Sequence, residues 1–250
     1  MLEKIDASVF NPDESTMSAM IGDQALARYG LDSVSCPICG NTGVIMREDE
    51  NGVRWSRECE CMAQRRSKKW IARSGLNDLL ERYTFDAYQT PDKKRASVKH
   101  GAEAFCEASS GWFFIAGRSG SGKTHICTAI CGKLLQTVEV RYMLWRDEIV
   151  KIKAAVTDGA AYESALRPFK SAPVLYIDDF LKGKVTDADL NAAFEIINAR
   201  YNDKAKRTII SSERMLPDIL ALDEAIGSRI AERAQGFVVL PPDENWRLTR

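Results

Sequence analysis

Gly117-Arg118-Ser119-Gly120-Ser121-Gly122-Lys123-Thr124 is a full match to the spacing G-x-x-x-x-G-K-[ST]. Glycines at these positions let successive backbone N–H groups converge on phosphate oxygens without side-chain clash, and a following helix adds its positive end. Lys123 reaches the outer phosphates as a mobile point charge, in a binding and a catalytic role, and the Thr124 hydroxyl is a hard-oxygen ligand for Mg²⁺. These residues predict binding of ATP with Mg²⁺. The run Val174-Leu-Tyr-Ile177 ends in Asp178-Asp179. An acidic residue at the end of a buried strand holds Mg²⁺, usually through water, which suits Asp178. Asp179 then polarises the attacking water as general base, or else caps the following turn.

A second chemistry lies upstream. Cys36-x₂-Cys39, nineteen residues, and Cys59-x-Cys61 bring four sulfurs to one segment. A soft, tetrahedral thiolate set favours Zn²⁺, with Pro37 and Gly40 shaping the first turn. The alternative, four free cysteines in a turn-rich segment of low apolar content, leaves little to hold that segment together. All four positions are protein ligands, so the expected zinc is structural. Cys106, Cys127 and Cys131 sit in helical patterns and read as small buried apolar residues.

These residues need a scaffold, and the pattern supplies one. Trp112–Ala116 is an apolar strand entering the glycine loop, and Lys123–Leu135 is the helix leaving it. Strands at Val138–Met143, Val174–Ile177, Thr208–Ser212 and Phe237–Leu240 alternate with helices, one near Arg146–Ala155. Another, carrying Leu190, Phe194, Ile197 and Tyr201, is opened by Thr186-x-x-Asp189. Alternation of this kind predicts an α/β fold with a five-stranded parallel sheet. Ahead of it come an amphipathic stretch within residues 1–35 and a hairpin across Asn51-Gly52 within the cysteine segment, 36–61. A basic helix, Met62–Ser74, follows. The expected division is an N-terminal module over 1–75, a linker over 76–100 and an ATPase core over 101–250.

Composition narrows the class. The chain has 250 residues, with Lys+Arg and Asp+Glu both at 35, so net charge gives no sign of nucleic acid. No apolar run is long enough for a membrane span, and Met1-Leu-Glu-Lys-Ile-Asp lacks a secretory pattern, which points to a cytoplasmic protein without a membrane partner. Local patches remain as candidates for DNA contact: the basic helix 65–73, Trp145-Arg146, and Lys182 with Lys184. For the basic helix, a solvated face is an equal reading.

Gly122-Lys123-Thr124-His125, Ile177-Asp178-Asp179, Gly227-Ser228-Arg229-Ile230 and Asn245-Trp246-Arg247 together resemble the DnaC/DnaI/IstB group of AAA+ ATPases. The cysteine segment is similar to the zinc module of the DnaI-like loaders. The resemblance implies a P-loop AAA+ core without the helical lid, since only ten residues follow Leu240. It implies that Arg229 is an arginine finger reaching ATP on a neighbouring subunit, so that activity belongs to an oligomer. Thr208–Ser212 takes the place of the sensor 1 strand; relatives often carry Asn at its tip, and here Ser212 and Glu213 become the nucleotide contacts. Arg247 takes the place of sensor 2. His125 is grouped with the loop as a nucleotide contact, although its ring reads as packed. The function implied is an ATP-hydrolysing loader that binds a DnaB-type replicative helicase and places it on single-stranded DNA. An IstB-like transposition helper and a nucleotide-binding adaptor without turnover are the alternatives.

Overall fold

The computed structural model describes residues 35–48 and 53–246. The amphipathic stretch of residues 1–35 lies almost wholly outside them, as do the Asn51-Gly52 turn and Arg247. The chain divides into two compact units, Met1–Lys69 and Trp70–Arg250.

In the first unit, strands β1 (Val44–Glu48) and β2 (Arg54–Glu58) form an antiparallel hairpin, followed by helix α1 (Cys61–Ser74), whose later residues enter the second unit. Among the described residues of this unit, Cys36, Cys59 and Met62 are its buried apolar side chains. Sharp turns bring the cysteines together. Gly40, Asn41 and Gly43 all have positive φ, and a Cβ on Gly43 would sit 2.6 Å from Met62 Sδ. Only glycine fits there without displacing Met62.

The second unit has a five-stranded parallel sheet in the order β4-β5-β6-β3-β7, built from β3 (Trp112–Ala116), β4 (Val140–Leu144), β5 (Val174–Asp178), β6 (Arg207–Ser212) and β7 (Val238–Val239). Helices cover both faces, which is why β3, β5 and β6 are buried at every position. On one face α2 (Asn77–Leu80), α3 (Lys93–Glu107) and α4 (Lys123–Leu134) pack on Phe113, Ile115, Tyr176 and Ile209. On the other, α5 (Trp145–Ala154), α6 (Gly159–Ser171), α7 (Asp187–Tyr201), α8 (Leu216–Leu222) and α9 (Glu224–Arg233) cover Trp112, Phe114, Ile177 and Ile210. The capping box at Thr186 and Asp189 forms as expected. Arg200 of α7 is fully buried and fully used. It donates to the Phe169, Ala172 and Arg207 carbonyls and to Thr208 Oγ1, joining three elements.

Two expectations need correction. Residues 76–100 are part of the core rather than a linker. Leu76 is fully buried, Tyr88 and Val98 nearly so, and α3 starts inside this stretch with Asp92 as its cap. Its polar composition hides one apolar side, Val98, Ala102 and Phe105, spaced four and three residues apart. The last strand is also shorter than Phe237–Leu240: only Val238 and Val239 pair, at the sheet edge beside β3.

Candidate functional site

The strand order decides how the phosphate loop meets the acidic pair. β6 lies between β3, which ends in the loop, and β5, which ends in Asp178. The carboxyl ends of all three strands open on one crevice, where parallel α/β sheets bind ligands. Gly117 N–H donates to the Ser212 carbonyl at 3.1 Å, which ties the loop to β6.

Gly120 and Gly122 take positive φ, and Gly122 is the N-cap of α4. Lys123 is almost buried. Its Nζ donates to the Gly117 carbonyl at 2.7 Å and the Arg118 carbonyl at 2.8 Å. Burial pulls its ammonium below the ordinary lysine value, while Glu213 and Asp179 pull it up. Thr124 Oγ1 stands 3.4 Å from each carboxylate oxygen of Asp178. A hydroxyl and a carboxylate at that separation are a hard-oxygen pair suited to Mg²⁺. Asp178 also accepts from Tyr142 Oη at 3.2 Å and from Ser211 Oγ. Burial drives the Tyr142 hydroxyl strongly upward, and Asp178 adds to this, so it stays a donor.

Asp179 adopts φ of 56°, and its N–H donates to Ser211 Oγ at 3.1 Å. Its Oδ2 pairs with Lys182 at 3.0 Å, and Lys182 also meets Glu213 at 2.9 Å. The lysine therefore bridges the two acids. A left-handed aspartate is uncommon, and this one lines the same cavity as the loop lysine.

A cavity of about 420 Å³ runs over the loop, lined by Ser119 through His125 together with Asp179, Lys182 and Glu213. Tyr83, Tyr88, Gln89, Arg95 and Trp246 close its other side. His125 is packed as well as lining the cavity, stacked on Tyr83 at 4.9 Å and edge-on to Tyr88 at 5.2 Å. Ser121 Oγ, Tyr88 Oη and Trp246 Nε1 are buried without a hydrogen-bond partner among the described residues. Burial pushes Tyr88 up to about 12, so it too remains a donor. Unsatisfied buried donors around a glycine-rich loop suit a polar, phosphate-bearing ligand. Residues 241–246 lie across the loop: Trp246 N–H donates to the Gly120 carbonyl at 3.1 Å, and Arg95 stacks on the Trp246 ring while pairing with Glu244.

The structure places the remaining expected residues as follows. Arg118 and Ser119 are exposed on the loop, Arg118 near Asp243. Glu213 lines the cavity, but Ser212 does not: its hydroxyl is buried and donates to the Phe180 carbonyl. The serine that meets the acidic pair is its neighbour Ser211. Strand alternation sends adjacent serines to opposite faces, so only one of them can serve. Arg229 lies outside the cavity lining, held by the Ala225 carbonyl at 2.8 Å and Asn198 at 3.2 Å, with its guanidinium over Phe194 and Tyr201. Tyr142, Tyr83, Tyr88 and Arg95 were not foreseen as site residues, and Lys182 was expected only as a candidate for DNA contact.

In the first unit the Sγ atoms of Cys36, Cys39, Cys59 and Cys61 all lie within 4.8 Å of one another. Cys36–Cys59 and Cys39–Cys61 are 3.7 and 3.6 Å apart. That is far too long for a disulfide bond and close to the ~3.8 Å edge of a tetrahedron with Zn–S of about 2.3 Å. Burial pushes the Cys61 thiol up to about 12. Cys39, despite burial, is held down to about 6 by the Gly43 N–H and the neighbouring thiols. Four thiolates this close need a cation, so the donor set fits zinc. The Gly43 N–H donates to Cys39 Sγ and the Cys36 N–H donates to Asn41 Oδ1, which orients the ligands.

Comparison with known proteins agrees with this geometry. Residues 48–233 match the family described as IstB-like ATP binding protein. The phage-like element PBSX protein XkdC of Bacillus subtilis is 30% identical over 231 residues, covering 86% of this chain and 83% of that protein. The chromosomal replication initiator protein DnaA of Neisseria meningitidis is 31% identical over 168 residues, 64% of this chain but 32% of DnaA. Among solved structures, the DnaC helicase loader superposes with a TM-score of 0.56 at 18% identity, covering 65% of this chain and 98% of that one. DnaI gives 0.54 at 19% identity, covering 66% and 91%. At such identities the structural likeness establishes the fold alone, an α/β core around a five-stranded parallel sheet. With three quarters of its residues inside the family match and a phosphate loop facing a strand-end acid, the chain belongs to the IstB-like ATP-binding protein family.

Proposed function

We propose that this protein is an ATP-hydrolysing helicase loader, which binds a DnaB-type replicative helicase and helps place it on single-stranded DNA. The observation that carries the enzymatic half is one cavity lined by Lys123, Thr124 and Asp179, with Asp178 beside Thr124. In this reading Thr124 and Asp178 hold Mg²⁺, which neutralises phosphate charge when bound. Lys123 draws charge from the outer phosphates. Asp179 takes a proton from the attacking water as the bond between the β- and γ-phosphates breaks, giving ADP and phosphate. Lys182 pairs with the Asp179 carboxylate at 3.0 Å and fixes its position for that task.

Arg229 supports an assembly rather than a lone catalyst. Its guanidinium sits away from the chain's own cavity on α9, where a neighbouring subunit's ATP could meet it. An arginine suits such a contact because its charge is permanent and its fork pairs with phosphate oxygens. Arg229→Ala and Lys123→Ala chains, each inactive alone, are expected to restore part of the ATPase when mixed, measured as phosphate release across mixing ratios. No recovery at any ratio, with the helicase present, would count against a finger in trans.

The loader function is favoured over a transposition helper by the four-cysteine centre and by the fold shared with the DnaC and DnaI loaders. The family match itself keeps the IstB-like transposition helper as the second reading. Co-sedimentation with the host or phage helicase distinguishes them. The intact chain is expected to pellet with the hexamer, residues 1–75 to suffice, and residues 70–250 to bind ATP but not helicase. If only the larger unit binds, the division of labour is reversed; if the intact chain fails to bind, the transposition reading replaces this one.

A further inference from the structure

The hairpin of the first unit has two unlike faces. Across the ladder Ile45 stands opposite Arg57 and Arg47 opposite Trp55, while Val44, Met46 and Glu48 stand opposite Glu58, Ser56 and Arg54. Opposite residues share a face and neighbours along a strand alternate. Among the described residues, one face therefore carries Ile45, Arg47, Trp55 and Arg57, with no carboxylate. The other carries Glu58, which is paired with Arg66 of α1 at 2.6 Å. Arg47, Trp55 and Arg57 are exposed, Trp55 by 43%. The adjoining basic helix is a weaker candidate for DNA contact: Arg65 is buried and bonded to Asn41, and Arg66 is neutralised by Glu58.

We propose that the Arg47–Trp55–Arg57 face binds single-stranded DNA. Trp55 offers an open ring on which one base stacks. Arg47 and Arg57, diagonal neighbours about 7–8 Å apart, hold the phosphates on either side. Arginines alone would serve an acidic protein surface. An exposed tryptophan set between two unopposed cations has the chemistry of a stacking platform, which takes any base by its face and requires that base to be unpaired. A duplex keeps its bases stacked inside and would meet only the two charges. The proposal shares single-stranded DNA with the loader reading but needs neither ATP nor helicase, so the two can fail separately.

The test uses the full chain with its metal content measured, and fluorescence anisotropy of a labelled oligothymidylate without nucleotide or helicase. Trp55→Ala is expected to weaken binding about tenfold, the loss of one stacked base, and Trp55→Phe to restore most of it. Arg47→Gln with Arg57→Gln is expected to lower the slope of log affinity against log salt by about 1.4, two phosphate contacts on a single strand. A duplex of the same length is expected to bind at least tenfold more weakly. Wild-type affinity in Trp55→Ala, equal affinity for duplex, or no binding by the wild type would each overturn the proposal. So would variants that keep DNA and lose the helicase, which would make this face a protein dock.

Discussion

Lys123→Ala is expected to lose nucleotide binding, whereas Asp179→Asn is expected to bind ATP and turn it over slowly. Lys123 is nearly buried and its ammonium is satisfied only by two loop carbonyls, so it is held where phosphate oxygens would arrive. Charge-assisted bonds to phosphate contribute about 1.5–3 kcal/mol each. Losing one or two weakens binding on the order of 10²-fold. Asp179 lacks such a binding role; removing a general base costs roughly 10²–10⁴ in rate. Equilibrium binding of a fluorescent ATP analogue, with phosphate release measured in parallel, separates the two effects. Wild-type turnover by Asp179→Asn would remove Asp179 as the base. Glu213, on the other side of Lys182, would then take its place.

Zinc removal is expected to be the most damaging single change to the first unit. The described residues of that unit bury few apolar side chains, and their sharpest turns lie in the cysteine segment. Structural zinc contributes an apparent ~10–16 kcal/mol in small thiolate sites, more than so small a core can replace. Elemental analysis of protein purified without added metal should find one zinc per chain, and Cys59→Ser should find none. Because the ligands bind as thiolates, protons compete with the ion. Lowering the pH should therefore release zinc and raising it should retain it. A metal-free preparation whose cysteine segment stays protected from proteolysis would show that zinc is not what holds it.

Much of this arrangement was legible in the chain because the decisive signals are local. The glycine loop, the apolar strand ending in Asp178-Asp179 and the Thr186 capping box each declare themselves within a few residues. Relations across the sheet are different in kind. Ser211 and Ser212 are equivalent in composition, and only the pairing of β6 between β3 and β5 decides which one meets Asp178. Tyr142 reaches Asp178 from β4, a contact set by strand order. Residues 76–100 misled for a third reason. Their charge masks a helix that buries Val98 and Phe105, and Arg95 is itself nearly buried, covered by Trp246 and by its ties to Asp92 and Glu244.

The segment 241–246 has a consequence for the order of events in the cell. Arg95 and Glu244 are 149 residues apart in the chain, and β7 joins the sheet beside a strand made long before it. Synthesis runs from the N-terminus, and contacts of such separation close late because a large loop must first be brought together. The cysteine hairpin, by contrast, pairs residues 6 to 14 positions apart and can form as soon as it leaves the ribosome. A growing chain would thus display its cysteine hairpin well before its nucleotide cavity has a roof. Engagement of whatever the first unit binds can precede the first ATP.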